Sequence, residues 1–123
     1  MEIISENDLK EINAKMHDSE FSEADFIFNS AEKKFVLRTH PVAMHGKFFQ
    51  TRAAIQPDIC FNLELLNVVK CKTNLDKLKS GKSIAGVFNF IKMRNNGKNL
   101  TIVSQDLRIE LELSEFAGRF EEK

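Results

Sequence analysis

Tryptophan and tyrosine are absent from these 123 residues, and all aromatic character rests on eleven phenylalanines. Phenylalanine supplies core area without a polar handle. The aromatics therefore read as packing, and the Trp and Tyr anchors common at binding hot spots and sugar platforms are missing. Cysteine is scarce as well, with Cys60 and Cys71 eleven apart and no CxxC pair. Two cysteines are too few for a disulfide framework, and this spacing does not suit zinc. Both are expected as reduced thiols, and no metal or cofactor is expected. No apolar run approaches the roughly eighteen residues of a membrane helix. The opening "MEIISENDLK" lacks the basic start and apolar stretch of a secretory signal. These absences lead to the expectation of a cytoplasmic protein with no membrane partner.

What is present is ordinary for a globular chain: 42% hydrophobic and 29% charged residues. A chain of this length buries about two thirds of its unfolded surface, so residues 1–123 are expected to form a single domain. The formal net charge is zero, yet the charge is unevenly spread. Residues 1–32 carry nine acids and two lysines, a balance of −7, and residues 33–108 carry fourteen bases and four acids, a balance of +10. Residues 109–123 return to −3. A basic centre between acidic ends is either a cationic binding face or a centre that the ends fold over and neutralise. The zero total favours the second.

Hydrophobic spacing predicts one helix, over "SENDLKEINAKM". Leu9, Ile12 and Met16 recur at three and four, with Ile4 ahead of them, and Ser5 with Asp8 resembles a capping box. Its apolar stripe is narrow, as for a helix lying on a sheet. The period then changes to two. "DFIFNS" and "KKFVLRTH" read as a hairpin across "SAEK". "CFNLELLNVVKCK" alternates at Phe61, Leu63 and Leu65 and slips phase at Leu66, which predicts a bulge or bend. "SIAGVFNFIKMR" is apolar on both faces, as for a central strand covered on both sides. A turn at Asn95–Lys98 leads to "NLTIVSQ" and then to "LRIELELSEF", where Leu107, Ile109, Leu111 and Leu113 oppose Arg108, Glu110 and Glu112. Pro41 to Pro57 has weak periodicity, and "NLDKLKSGK" reads as one or two helical turns. The expected fold class is α+β, one N-terminal helix packed on an antiparallel sheet or small barrel of about six strands.

Three groups of residues invite a chemical reading. His17–Asp18 closes the helix, where a histidine complements the helix dipole and Asp18 or Ser19 starts a turn. As a general base oriented by an aspartate the pair is poorly arranged, since adjacent strand side chains point to opposite faces. Arg38 and His40 share a strand face, with His45 beyond them, a set suited to an anionic substrate or phosphate. Lys70, Lys72, Lys77, Lys79 and Lys82 form a basic series interrupted only by Asp76. Within it Ser80-Gly81-Lys82-Ser83 resembles the end of a phosphate-binding loop. The leading glycine is missing, and no apolar strand runs into the motif, so that reading is rejected. No GxSxG or recognisable cysteine–histidine signature supports nucleophilic catalysis, and Cys71, alternating with Val69, reads as a small core residue.

A short acidic segment ending in His17-Asp18-Ser19, then a two-stranded run, a "FNLELLNVVKCK" strand and a late hairpin, resembles small bacterial α+β families. Their N-terminal segment carries His-Asp-Ser or His-Asp-Ala before the sheet, and some are assigned as immunity proteins of polymorphic toxin systems. The resemblance implies a structural junction at His17 and Asp18 and a toxin-neutralising interaction, with nothing catalytic. The expectation is thus a non-enzymatic, cytoplasmic protein-interaction domain presenting Glu11, Asp18, Glu20 and Glu23 to a basic protein partner. The first alternative is nucleic-acid or anionic-ligand binding through Arg38, His40, Lys70, Lys72, Lys77 and Lys79, with Arg94. The second is a small enzyme using Arg38, His40 and His45. A homodimer through an uncovered edge strand is also expected.

Overall fold

The computed structural model describes residues 1–3, 5–41, 60–74, 85–105 and 107–122. His45, Lys77, Lys79 and Lys82, with most of Pro41 to Pro57 and the whole of "SGKS", lie outside them. In chain order the elements are β1 (Glu2–Ile3), α1 (Glu6–Met16), β2 (Glu20–Ser22), β3 (Phe26–Asn29), β4 (Lys34–Thr39), β5 (Phe61–Leu65) and β6 (Val68–Thr73). There follow β7 (Ala85–Arg94), β8 (Asn99–Ser104), β9 (Arg108–Leu113) and β10 (Gly118–Glu122). The class is α+β, but the expected six strands are ten among the described residues. They form two five-stranded sheets ordered β1-β10-β5-β4-β3 and β2-β7-β8-β9-β6.

The difference has local causes. "CFNLELLNVVKCK" is two strands in two sheets. Asn67, at φ +59°, turns the chain between β5 and β6, and the 114–117 segment bends opposite it. The Leu66 N–H donates to the Ala117 carbonyl at 2.9 Å and the Ser114 N–H to the Asn67 carbonyl at 2.9 Å. So β5 pairs with β10 and β6 with β9, one long ribbon folded across both sheets. Strands β1 and β2 have two and three residues. Neither is long enough to show a period. β10 is GRFEE, mostly polar because only Gly118 and Phe120 turn inward.

Between the sheets lies a core of Phe35, Leu37, Leu63, Leu65, Phe88, Leu100, Ile102, Ile109 and Leu111, among others. The α1 helix adds Leu9, Ile12 and Met16 to it, each worth roughly 1.5–3 kcal/mol of burial. At its start Asp8 accepts the Ser5 N–H at 3.0 Å, closing the expected capping box. The bulge between Val68 and Lys70 breaks the alternation expected around Cys71. Val69 is exposed, while Cys71 packs against the core and its burial pushes its thiol pKa up. No helix among the described residues is long and apolar enough to cross a membrane.

Candidate interaction face

A second bulge decides what the protein shows to solvent. It falls between Phe88 and Phe90 of β7. In a regular strand these two rings would share a face. With the extra residue, Phe88 is 0% exposed in the core, whereas Phe90 is 44% exposed on the outside. This overturns the expectation that "SIAGVFNFIKMR" is covered on both sides. From Phe90 onward the outward positions are Phe90, Lys92 and Arg94, and the register extends them across the sheet. Lys92 stands beside Thr101, Thr101 beside Glu110, and Glu110 beside Lys72. One row further, Arg94, Asn99, Glu112 and Lys70 line up in the same way. Phe90, Val103 and Arg108 make a third row.

The outer face of this sheet therefore carries cations on β7, carboxylates on β9 and cations again on β6. Five positive groups, Lys70, Lys72, Lys92, Arg94 and Arg108, surround Glu110 and Glu112. Directly opposed cross-strand charges of opposite sign contribute roughly 0.2–1 kcal/mol each. Among the described residues, no ion pair ties up any of these seven side chains. The carboxylates of β9 thus moderate the positive charge of this face without cancelling it.

At the β8–β9 end the face dips into an open cleft of about 620 Å³ lined by Lys72, Asn74, Ser104, Gln105, Leu107 and Arg108. Much of its polar lining is already engaged. The Ser104 hydroxyl donates to the Leu107 carbonyl at 2.6 Å and accepts the Leu107 N–H at 3.2 Å, holding the turn. Asn74 Oδ1 accepts the Arg108 N–H at 2.9 Å. The groups left to meet a partner include the two cations, Gln105 and the carboxylate of Glu110, which also lines the cleft.

His17 and Asp18 form a junction. Asp18 adopts φ +68°, a left-handed conformation that aspartate tolerates, and its N–H donates to the Phe88 carbonyl at 2.9 Å. The Phe88 N–H returns a bond to the Ser19 carbonyl at 2.8 Å, and His17 Nδ1 lies 3.3 Å from the Asn89 carbonyl. Both residues thereby hold the bulge that turns Phe90 outward. His17 Nε2 also approaches the Asp18 carboxylate at 3.5 Å, in the open. Beyond β2, which pairs only with Ala85–Val87, the free edge of β7 is met by Asn13 of α1. Its amide accepts the Ile91 N–H at 2.8 Å and donates to the Ile91 carbonyl at 3.1 Å, as a neighbouring strand would.

The residues expected to bind a basic partner are not gathered into one acidic patch. Glu11 is exposed on α1 between Lys10 and, a turn on, Lys15. Asp18 sits at the junction. Glu20 is half-buried in β2, its backbone exchanging bonds of 2.9 and 2.8 Å with His40, and Glu23 opens a 3-10 turn. The anion-binding set is divided too. Lys70 and Lys72 are on the charged face, whereas Arg38 is on β4 of the other sheet and His40, just past the end of β4, is bridged to Glu20 of β2. His40 Nε2 is 3.8 Å from Asp25 Oδ1. Asp25 Oδ2 accepts the Ser22 N–H at 2.8 Å and its hydroxyl at 3.1 Å. The serine hydroxyl thus donates to the carboxylate that also faces His40.

Sequence reasoning missed Phe90 as a surface group, and it placed Arg108 on the outward face of its strand without naming it as a site residue. Phe90 was hidden by an apolar run that looked two-sided, and the rows of charge depend on register, which the chain does not spell out. No family model, curated protein or solved structure matches the chain.

Proposed function

We propose that the chain is a non-enzymatic binding domain that docks another protein on the outer face of the β2-β7-β8-β9-β6 sheet. The observation that carries this reading is Phe90, a large aromatic ring held outward by a bulge. Lys92, Arg94 and Arg108 stand around it without ion-pair partners among the described residues. Aromatic rings and arginines are the groups enriched at the energetic centres of protein interfaces. Glu110 and Glu112 run through the same face, where they repel a phosphate backbone but accept a cation from a protein. The surplus of cations calls for a partner surface that is acidic on balance. A toxin of that character, neutralised in the cytoplasm, is one such partner and fits the resemblance carried by His17-Asp18-Ser19. A second reading, nucleic-acid binding, is favoured by the five cations against two carboxylates on this face.

Affinity capture from the source organism's lysate, with and without nuclease, separates the two. The native chain is compared with Phe90→Ala and with Lys92→Glu/Arg94→Glu. A stoichiometric protein retained after nuclease and lost in both variants supports the protein reading. Nucleic acid released by moderate salt, with Phe90→Ala unchanged, would replace it by the second.

A further inference from the structure

Each sheet has two ends, and three of the four end strands are guarded. β1 and β2 are only two and three residues long, and β2 is bridged to His40 through Glu20. β6 is bulged and carries Lys70 and Lys72. Shortness, bulges and lysines are the usual devices that keep an edge strand from pairing with another chain. β3, Phe26-Ile27-Phe28-Asn29, is four residues long and has neither a bulge nor a lysine. It is uncharged and regularly paired to β4 on one side, and among the described residues no backbone hydrogen bond from another element reaches its free edge. Ile27 points outward and is 64% exposed, with Val36 its cross-strand neighbour. Phe26 and Phe28 point inward but are only partly buried, because the sheet stops beside them.

We propose that β3 pairs antiparallel with β3 of a second copy of this chain, centred on Ile27. The sequence around that point is self-complementary. With Ile27 opposite its own counterpart, Phe26 of each chain faces Phe28 of the other, so two aromatic pairs close over the exposed edge of each core. On the outer face the two Ile27 and two Val36 side chains become contiguous, flanked on each side by Glu64. Asp25 comes opposite the uncharged Asn29, and Lys34, the neighbour of Asn29 on β4, is paired within its own chain to Glu32 and Glu64, so no like charges meet across the seam. The product is one sheet of ten strands spanning both copies. The charged face lies on the other sheet and stays open, so this dimer and the proposed partner stand or fall separately.

Sedimentation velocity across a dilution series tests the pairing, using the native chain, Ile27→Lys, and two single-cysteine variants. Those variants, Ile27→Cys and Asn29→Cys, are built in a Cys60→Ser/Cys71→Ala background. The native chain is expected to dimerise. Ile27→Lys, at an exposed position, should keep the native circular dichroism and weaken the dimer at least about tenfold. Ile27→Cys should cross-link under mild oxidation, because opposed Cβ atoms lie about 5 Å apart. Asn29→Cys should not, since four residues of offset place it about 14 Å from its counterpart. A native chain that stays monomeric at its highest attainable concentration would overturn the proposal. So would a dimer indifferent to Ile27→Lys, or one that Asn29→Cys links as readily as Ile27→Cys.

Discussion

Replacing Asn13 by alanine should expose how the edge of β7 is protected. The side chain bonds both main-chain groups of Ile91, at 2.8 and 3.1 Å, in a half-buried setting. Truncation leaves that N–H and that carbonyl without their partners. A neutral hydrogen bond contributes about 0.5–1.5 kcal/mol net, and an unmet buried group costs about 1–3 kcal/mol. Partial exposure lets water recover some of this, so the two bonds together are worth about 2.5 kcal/mol. Alanine returns roughly 0.5 kcal/mol through its higher helix propensity. The expected net loss is about 2 kcal/mol, or roughly 6–10 °C in Tm for a domain of this size. Asn7→Ala, at an exposed position on the same helix, is the control and should change stability by no more than about 0.5 kcal/mol. Chemical denaturation with a common m-value measures both. An Asn13→Ala variant no less stable than the Asn7→Ala control would refute the idea that this amide stands in for a strand.

Other outcomes follow from single sites. The Thr39 hydroxyl is fully buried and has no hydrogen-bond partner among the described residues, so Thr39→Val should stabilise the fold by about 0.5–1.5 kcal/mol in urea denaturation. A destabilised variant would mean that the hydroxyl is satisfied. Gly97 sits at φ +91°, and a Cβ there would meet Phe116 Cβ at 2.5 Å. Gly97→Ala should therefore cost about 2–4 kcal/mol, from left-handed strain and forced repacking together. Burial raises the Cys71 thiol pKa, so the folded chain holds this proton after the unfolded chain has released it. Stability should fall as pH rises through the thiol range, and Cys71→Ala should lessen that fall.

The fold was legible where a strand carries its own pattern. Leu107, Ile109, Leu111 and Leu113 alternate with charged residues, and all four are buried. The helix, its capping box, the β3–β4 hairpin and the turn at Asn95 were likewise readable from local spacing and turn chemistry. What was not legible depends on contacts distant in sequence. β1 and β2 exist because β10 and β7 offer them edges, and neither has a period of its own. The split at Asn67 is written locally only as a phase slip; that it carries the ribbon from one sheet to the other follows from β9 and β10. The site was harder still. Lys70 and Lys72 could be named from spacing, but their alignment with Glu112 and Glu110, and through Asn99 and Thr101 with Arg94 and Lys92, is a property of register. His17–Asp18 is where the two levels meet. A pair that looks like chemistry closes a helix and holds the bulge behind Phe90.

The central claim is that a protein partner covers the outer face built on β7, β8, β9 and β6. Lysine footprinting by acetylation, read by mass spectrometry on the free chain and on its captured complex, tests it most directly. The account predicts that Lys70, Lys72 and Lys92 lose reactivity in the complex, while Lys15 on α1 and Lys34 on the opposite sheet keep theirs. Protection of Lys15, with Lys70 and Lys92 as reactive as in the free chain, would place the partner on the N-terminal helix and contradict the account.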